Sequence, residues 1–497
     1  MSNNIIKHFT INKSLHQKLL PLINSSIPII TRFPPEPSGY MHFGHAYALL
    51  WNYVIATIYN GKLILRFDDT NPDKTRQVYE DNFIDNINFL DVKYDKISYA
   101  SKYIGNMIEY ATMLINNNEA YVDDTNSDVM KQQKINKIPS VNRENSIEDN
   151  ICKWKDMING DRTNCVLRIK IDVNSNNLCL RDPVIFRVKF INSEYKVYPT
   201  YDFACPITDY LDNVNCVLRS NEFIDRDAQY KYILNKLHLP VPIISNYKKI
   251  SFSEGLCSKR KILELISNGI IEDMDDPRLL TMSSLRRMGL HKNSIYQYCG
   301  KLGLTSSSTV MKISSLWSIN RNIIDKISSR VFAIENSNVC EIKLNNSCCK
   351  SKTVSKFIKN NELGQRELIC GSDILIDKTE LNSIFDGSLV NGEKETLTLI
   401  NYCNIVRNDD NNYDIVDISH KDTKFKIIWL NSLNSVKLQI SKYNYNFNEP
   451  IIKTHFIGES YFKNLVPGNI VQIYRYGYYI CDKIDVDMIS LIEISTK

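Results

Sequence analysis

Two histidines three residues apart, His42 and His45, lie in the stretch SGYMHFGHAY, just past a Ser-Gly pair and at the head of an apolar run. Imidazoles at this spacing can ligate a metal, take a proton, donate hydrogen bonds to an anion, or simply sit on a surface. No third ligand cluster lies nearby to complete a metal site. A proline-glycine loop followed by a helix puts both histidines at a helix N-terminus, where free amides and the positive end of the helix dipole suit a phosphate. Gly44, between them, lets the backbone pass close to a flat ring. From this window alone, surface histidines and a phosphate site remain comparable readings.

A second basic element shifts that balance. GLCSKRK, residues 255–261, follows the strand-like YKKISFS and precedes a helix. Small residues, a serine and three cations make an anion-binding loop, although a KRK run alone is ordinarily a solvated helix start. Lys259 is the compact point charge suited to a triphosphate, with Ser258 and Arg260 beside it.

These residues need elements to hold them. Ile27 to Thr31 is apolar and β-branched, as a buried parallel strand requires, and the prolines of RFPPEP then force an extended loop. From His45, HAYALLWNYVIATIYN predicts a helix that Gly61 stops. GKLILRFDD predicts a second strand and TRQVYEDNFIDNINFL a second helix. This alternation argues for a parallel sheet with crossover helices, a doubly wound nucleotide-binding fold whose ligands sit outside the carboxyl ends of the strands. Residues 103–196 break the rhythm and read as an insertion. The sheet is expected to resume at KVYPTYDFACPITDYL, followed by the helix EFIDRDAQYKYILNKL. Residues 260–330 read as helical, with a start at DPRLLTMSSLRRMGL, and beyond 331 short runs such as VFAIEN, FKIIWL and NIVQIYRYGYYIC predict an all-β remainder.

The bulk composition sets few further limits. The chain has 497 residues, 43% hydrophobic and 24% charged, with a formal net charge of +5, so several globular domains are expected. A mildly basic total permits a nucleic-acid partner without requiring one. The 13 cysteines are scattered with no CxxC spacing, which fits a reducing compartment and gives no zinc knuckle. The first 27 residues lack the long apolar core of a secretory signal or membrane span. They read as a simple tail, a transit peptide being the alternative.

Taken together the motifs resemble the class I aminoacyl-tRNA synthetases. HFGH is similar to the first signature of that class, and LCSKR to the second. RFPPEPSGYMHFGHA, LRFDDTNP, YPTYDFACPITD and DDPRLLTMSSLRRMG extend the likeness, in order, to the glutamyl- and glutaminyl-tRNA synthetase group. The resemblance implies a multidomain α/β protein. Its expected parts are an N-terminal tail (1–27), a Rossmann-like doubly wound catalytic domain in two halves (28–102 and 197–250), an acceptor-stem-binding insertion (103–196), a SKR loop and helical connecting domain (251–330), and C-terminal anticodon-binding β-barrels (331–497). Phe43, Tyr47 and Cys257 depart from the usual signature residues, but none removes a charge from the chemistry.

The implied reaction is attack of an amino-acid carboxylate on the α-phosphate of ATP, loss of pyrophosphate, and transfer of the aminoacyl group from the adenylate to tRNA with release of AMP. His42, His45 and Lys259 would be the catalytic groups, with ATP held by His42, Gly44, His45, Ser258, Lys259 and Arg260. Magnesium would arrive on ATP, and no protein-bound metal or zinc is expected. The resemblance places Arg32, Asp68 and Tyr201 around the amino acid, Asp68 at its α-ammonium. Ordinary alternatives stand beside these roles: Arg32 contacting backbone carbonyls only, and Asp68-Asp69 as a turn before Asn71-Pro72.

Arg219 falls where glutamate enzymes of the group carry arginine and glutamine enzymes a small neutral residue, and an arginine pairs bidentately with a carboxylate. The glutamine branch also has histidine where Cys205 stands. The implied partners are therefore L-glutamate, ATP and tRNA(Glu), in a cytoplasmic monomer without a membrane partner. The glutamine branch is the nearest rival, and a non-catalytic tRNA-binding relative the remoter one.

Overall fold

The computed structural model describes residues 2–71, 76–189, 194–255, 259–304, 309–345, 347, 350–385, 396–409, 412–419 and 423–495. The chain divides into two compact units, Met1–Phe252 with Tyr296–Met311, and Ser253–Ile295 with Lys312–Lys497.

The first unit opens with helices α1 (Ser2–Ile6) and α2 (Lys13–Asn24) rather than with the loose tail expected before residue 28. The Asn12 side chain caps α2 by accepting from the Leu15 amide at 2.8 Å, and Ile5, Phe9, Leu15 and Leu19 are buried. Asparagine at the N-cap and leucines four apart carry this signal, though the segment's polarity masks it.

Strand β1 (Ile30–Phe33) begins three residues later than expected, and Ile27 is exposed. Helix α3 (Phe43–Ile58) is buried over most of its surface, which suits a helix apolar all round. Strand β2 (Lys62–Phe67), helix α4 (Gln77–Phe89) and strand β3 (Lys96–Tyr99) complete the first half, with β1, β2 and β3 paired in parallel.

The insertion contains α5 (Ile104–Asn116), β4 (Ala120–Asp123), α6 (Ser127–Asn136), α7 (Ile147–Asn159), β5 (Val166–Ile169), β6 (Val184–Val188) and β7 (Val197–Pro199). Its four strands form one antiparallel sheet, β4-β5-β6-β7, over a core that includes Met107, Trp154, Leu167 and Phe186. β7 therefore belongs to the insertion, and the parallel sheet does not resume at residue 197 as expected. It resumes after α8 (Tyr201–Leu211), with β8 (Cys216–Ser220), α9 (Asp227–Lys236) and β9 (Ile243–Tyr247). β8 and β9 are parallel, and β8 lies beside β1, where the Asn215 amide donates to Ile30 O at 3.2 Å. The spatial order is thus β9-β8-β1-β2-β3, reversing between β1 and β8, and a crevice opens at such a switch point.

Strands β10 (Ile250–Phe252) and β11 (Thr309–Met311) pair in parallel at the edge of the unit. The helical stretch does not form a body of its own. α10 (Lys259–Ser267) and α11 (Met282–Arg287) fall in the second unit, α12 (Lys292–Leu302) runs from one unit into the other, and α13 (Ile313–Ile324) returns to the second.

The rest of the second unit is β-rich, as expected. It contains two seven-stranded sheets. In one, the edge strands Ser329–Val331 and Ala333–Glu335 are separated in the chain by Phe332 alone. In the other, the edge strands Phe425–Ile427 and Trp429–Asn431 are separated by Ile428 alone. Edges one residue apart in the chain make each sheet curl back toward its own start, giving a barrel-like form.

Several contacts seat the N-terminal segment, among them Asn12 Nδ2 donating to Leu304 O at 2.8 Å, Phe9 edge-on to Trp51, and a close approach at Gly300. A Cβ at Gly300 of α12 would lie 1.8 Å from His8 O. Gly300→Ala is expected to dislodge the segment before residue 28, lowering stability by roughly 1–3 kcal/mol and exposing that segment to limited proteolysis. A wild-type cleavage pattern and melting curve would show the contact to be dispensable.

Candidate active site

A cavity of about 950 Å³ in the first unit lies at the carboxyl ends of the parallel strands. Its walls include Arg32 and Phe33 at the end of β1, Asp68 and Thr70 after β2, Leu218 to Ser220 at the end of β8, and Tyr247 at the end of β9. Of the residues singled out from sequence, His42, Gly44, His45, Arg32, Asp68, Tyr201 and Arg219 all line it. Lys259 and the exposed Arg260 open α10 in the second unit, and Ser258 lies outside the described residues.

The histidines form a reciprocal cap on α3. His42 is the N-cap residue, so the helix starts at Phe43 and not at His45. His42 Nδ1 accepts from the His45 backbone N–H, and His45 Nδ1 accepts from the His42 backbone N–H, both at 3.3 Å. This is a capping box with imidazoles in the roles usually taken by Ser or Thr and Glu. An amide can only donate, so each Nδ1 is unprotonated and each ring carries its proton on Nε2. The rings stack with centroids 3.7 Å apart.

Burial pushes the His42 pKa down to about 4, with the charge of Lys249 adding to it and the backbone bond opposing it. Burial, then His42, holds His45 well below its ordinary value. At neutral pH the pair therefore consists of two uncharged Nε2–H donors at a helix N-terminus. Phe43 points into the core against Phe252 and Tyr298, so its departure from the aliphatic signature residue is accommodated. Gly44 has a steric reason of its own: a Cβ there would come within 3.0 Å of the His42 ring.

The floor of the crevice is a buried ion network that sequence reading missed. Asp209, on α8, accepts from Arg32 Nε at 2.9 Å and Arg66 Nη2 at 2.5 Å on one oxygen, and from the Tyr230 hydroxyl at 2.9 Å on the other. Burial alone would raise the Asp209 pKa, but the two guanidinium groups outweigh it and hold the carboxyl below its usual range. Asp212, one turn on, takes Arg66 Nη1, Lys96, Ser98 and Tyr103. Cys205, Asp209 and Asp212 are spaced i, i+4, i+7, and that one-face pattern was the available signal.

Arg32 also donates from Nη1 to Leu218 O at 2.9 Å, so both a carbonyl and a carboxylate hold it at the cavity wall. The two aspartates of FDD separate in role. Asp69 accepts from the Ser101 amide and hydroxyl, at 2.7 and 2.5 Å, and ties the loop to the end of β3. Asp68 faces the cavity with Thr70 as its hydroxyl partner at 3.2 Å, and burial raises its pKa to about 6 against the pull of Arg66 and Thr70. Burial holds the Tyr201 hydroxyl well above its ordinary pKa.

Arg219 is 4% exposed and pairs with Asp227 through Nη1 at 2.7 Å. Its Nε is buried with no hydrogen-bond partner among the described residues. Lys134, Arg187, Lys189, Arg226 and Lys249 add cations around the same cavity.

A cavity outside the carboxyl ends of an open parallel sheet, with a capped helix N-terminus on one side and a buried cation on another, defines the class of doubly wound nucleotide-site proteins. Residues 28–326 match the family of class I tRNA synthetases (E and Q), catalytic domain. The cytoplasmic glutamate–tRNA ligase of Saccharomyces cerevisiae is 33% identical over 92% of this chain and 68% of its own length. A protein of Enterocytozoon bieneusi, described as a probable cytoplasmic glutamate–tRNA ligase, is 35% identical over 92% of this chain and 76% of its own. The bifunctional glutamate/proline–tRNA ligase of Mus musculus is 32% identical over 92% of this chain, which spans 32% of that longer protein. The chain belongs to the glutamate and glutamine (E and Q) family of class I tRNA synthetases.

The histidine cap makes a pH prediction. In the unfolded chain the imidazoles take protons near pH 6.5, whereas folded His42 does so only near pH 4. Between these values the unfolded state binds more protons, so unfolding free energy must fall as the pH drops from about 6.5 toward 4. Replacing both histidines with Gln is expected to flatten that part of the stability profile. Nitrogen NMR of labelled imidazoles should report the Nε2–H form for both at pH 7, and a cationic ring there would contradict the assignment.

Proposed function

We propose that this protein ligates L-glutamate to tRNA(Glu) at the expense of ATP, through a glutamyl-adenylate. The observation that carries this reading is a cavity lined both by a carboxylate for the α-ammonium, Asp68, and by a buried arginine, Arg219, whose Nε has no protein partner among the described residues. A buried cation with a free donor suits the γ-carboxylate of glutamate. Glutamine would offer the free edge of that guanidinium one neutral acceptor oxygen and an NH2 group in place of a two-oxygen anion, so it could not form the bidentate charged pair. The names of the relatives agree with glutamate charging, and those from Saccharomyces cerevisiae and Enterocytozoon bieneusi with a cytoplasmic setting.

In the proposed mechanism the ATP phosphates lie against the start of α3. His42 and His45 donate from Nε2 to phosphate oxygens, and Gly44 leaves room beside them. The glutamate α-carboxylate attacks the α-phosphorus in line, and pyrophosphate departs. Being uncharged, the imidazoles stabilise growing negative charge without becoming bases, as preorganised donors do. Lys259, with Ser258 and Arg260, takes the departing pyrophosphate in this reading. Magnesium arriving on ATP would supply charge neutralisation at the triphosphate, and no residue of the chain is assigned to hold it. Asp68 holds the α-ammonium, Tyr201 and Arg32 shape the wall around the amino acid, and Arg219 takes the side chain. Placement and charge neutralisation suffice, so no covalent protein nucleophile is required.

A hydroxyl of the terminal ribose of tRNA then attacks the acyl carbon of the adenylate, so that the glutamyl group passes to tRNA and AMP leaves. The insertion is assigned to the acceptor end because Lys134, Arg187 and Lys189 carry its positive charge to the cavity rim, and the barrel-like sheets are assigned to the anticodon. Binding through phosphates should be salt-sensitive.

Charging of tRNA with labelled glutamate and glutamine in parallel tests the reading. Glutamate is expected to be the efficient substrate. A preference for glutamine, or no charging with either, would overturn it. Arg219→Cys should lower kcat/KM for glutamate by about 100-fold, the scale of leaving a buried charge partner unpaired.

A further inference from the structure

We infer that Asp227 is a positioning residue for amino-acid selection. It holds one arm of Arg219 and thereby turns the Nε–Nη2 edge of the guanidinium to the substrate carboxylate. The inference rests on the assignment of Arg219 above and adds the group that makes that assignment geometrically definite.

Arg219 stands near the carboxyl end of β8, on the cavity wall. Its Nη1 donates to Asp227 Oδ1 at 2.7 Å. Asp227 is the first residue of α9, and its second oxygen accepts from Asn246 Nδ2 at 2.9 Å. Asn246 is the residue opposite Arg219 in the parallel pairing of β8 and β9. The carboxylate is thus fixed from a helix start and from the neighbouring strand, and it fixes the arginine in turn. The rings of Phe223 and Tyr230, each 5.3 Å from the guanidinium carbon, limit its remaining freedom.

A guanidinium offers two forks to a carboxylate, Nη1 with Nη2 and Nε with Nη2. With Nη1 engaged by Asp227, the Nε–Nη2 fork remains, and Nε is the buried donor left without a partner. A donor buried in that way is costly until something accepts from it. The Asp227 carboxylate also compensates the Arg219 charge while the cavity is empty. Without that compensation, a buried cation would be free to swing toward Asp68 or the phosphates.

The test is steady-state aminoacylation by the full chain with tRNA(Glu), measuring KM for glutamate and for ATP separately. Asp227→Ala should raise KM for glutamate about 10-fold or more, the scale of coupled charged neighbours, with KM for ATP within about 2-fold. Asp227→Asn keeps an oxygen for Nη1 and should recover part of the loss. In an Arg219→Ala background Asp227→Ala should cause no further rise, because it acts through the missing arginine. An unchanged glutamate KM in Asp227→Ala, or additive effects in the double variant, would overturn the inference while leaving the role of Arg219 standing. An unchanged KM in Arg219→Ala alone would overturn the role of Arg219 and this inference with it. If Asp227→Ala fails to fold, Asn246→Ala removes only the second anchor. It should then give a smaller rise in the same constant, and an effect confined to ATP would count against the proposal.

Discussion

One carboxylate under the crevice supports most of what lies above it. Asp209 receives Arg32 from β1, Arg66 from β2 and Tyr230 from α9, and it is itself carried by α8. Four elements from both sides of the insertion therefore meet on two oxygens. Such a cluster contributes little net stability compared with an apolar core of the same volume, but breaking it by removing one partner costs roughly 3–5 kcal/mol. Its consequence is placement. Arg32 is drawn to the cavity wall and bonds Leu218 of β8, which sets the two strands flanking the switch point in fixed relation. The ligand crevice opens between those strands.

The same economy of donors appears at the helix start. In a capping box the side chains ordinarily satisfy orphan amides and have no other duty. Here the capping atoms are the Nδ1 nitrogens of two histidines, so capping also dictates the tautomer, and the free Nε2–H of each ring becomes a donor for a ligand. Desolvation of both rings keeps them uncharged. Structural and ligand-facing roles are thus divided between the two nitrogens of each ring.

Much of this was legible in the chain. The strand–helix alternation, the loop ahead of His42, the insertion and the β-rich remainder follow from periodicity and turn residues. The cavity residues His42, His45, Asp68 and Arg219 follow from motifs. Three features were not readable. β7 is a short VYP segment whose membership in the insertion sheet is set by its pairing with β6, and nothing in its own residues encodes that partner. The N-terminal helices are polar enough to pass for a tail, and part of what seats them is a close approach to a glycine nearly 300 residues away. The spacing of Cys205, Asp209 and Asp212 predicts one helix face, but not that Arg32 and Arg66, 177 and 143 residues from Asp209 in the chain, would fill it. Long-range ion pairs leave no local pattern. The HxxH spacing, by contrast, is the N-cap to N3 spacing and could have been read as a cap.

The account stands on glutamate lying between Asp68 and Arg219 with its carboxyl phosphate turned to the histidines. A crystal structure of the protein with a non-hydrolysable glutamyl-adenylate analogue measures this directly. The γ-carboxylate is predicted within about 3 Å of Arg219 Nε and Nη2, the α-ammonium on Asp68, and the phosphate-mimicking group at the Nε2 atoms of His42 and His45. A γ-carboxylate lying away from Arg219, or a phosphate mimic out of reach of both imidazoles, would contradict it.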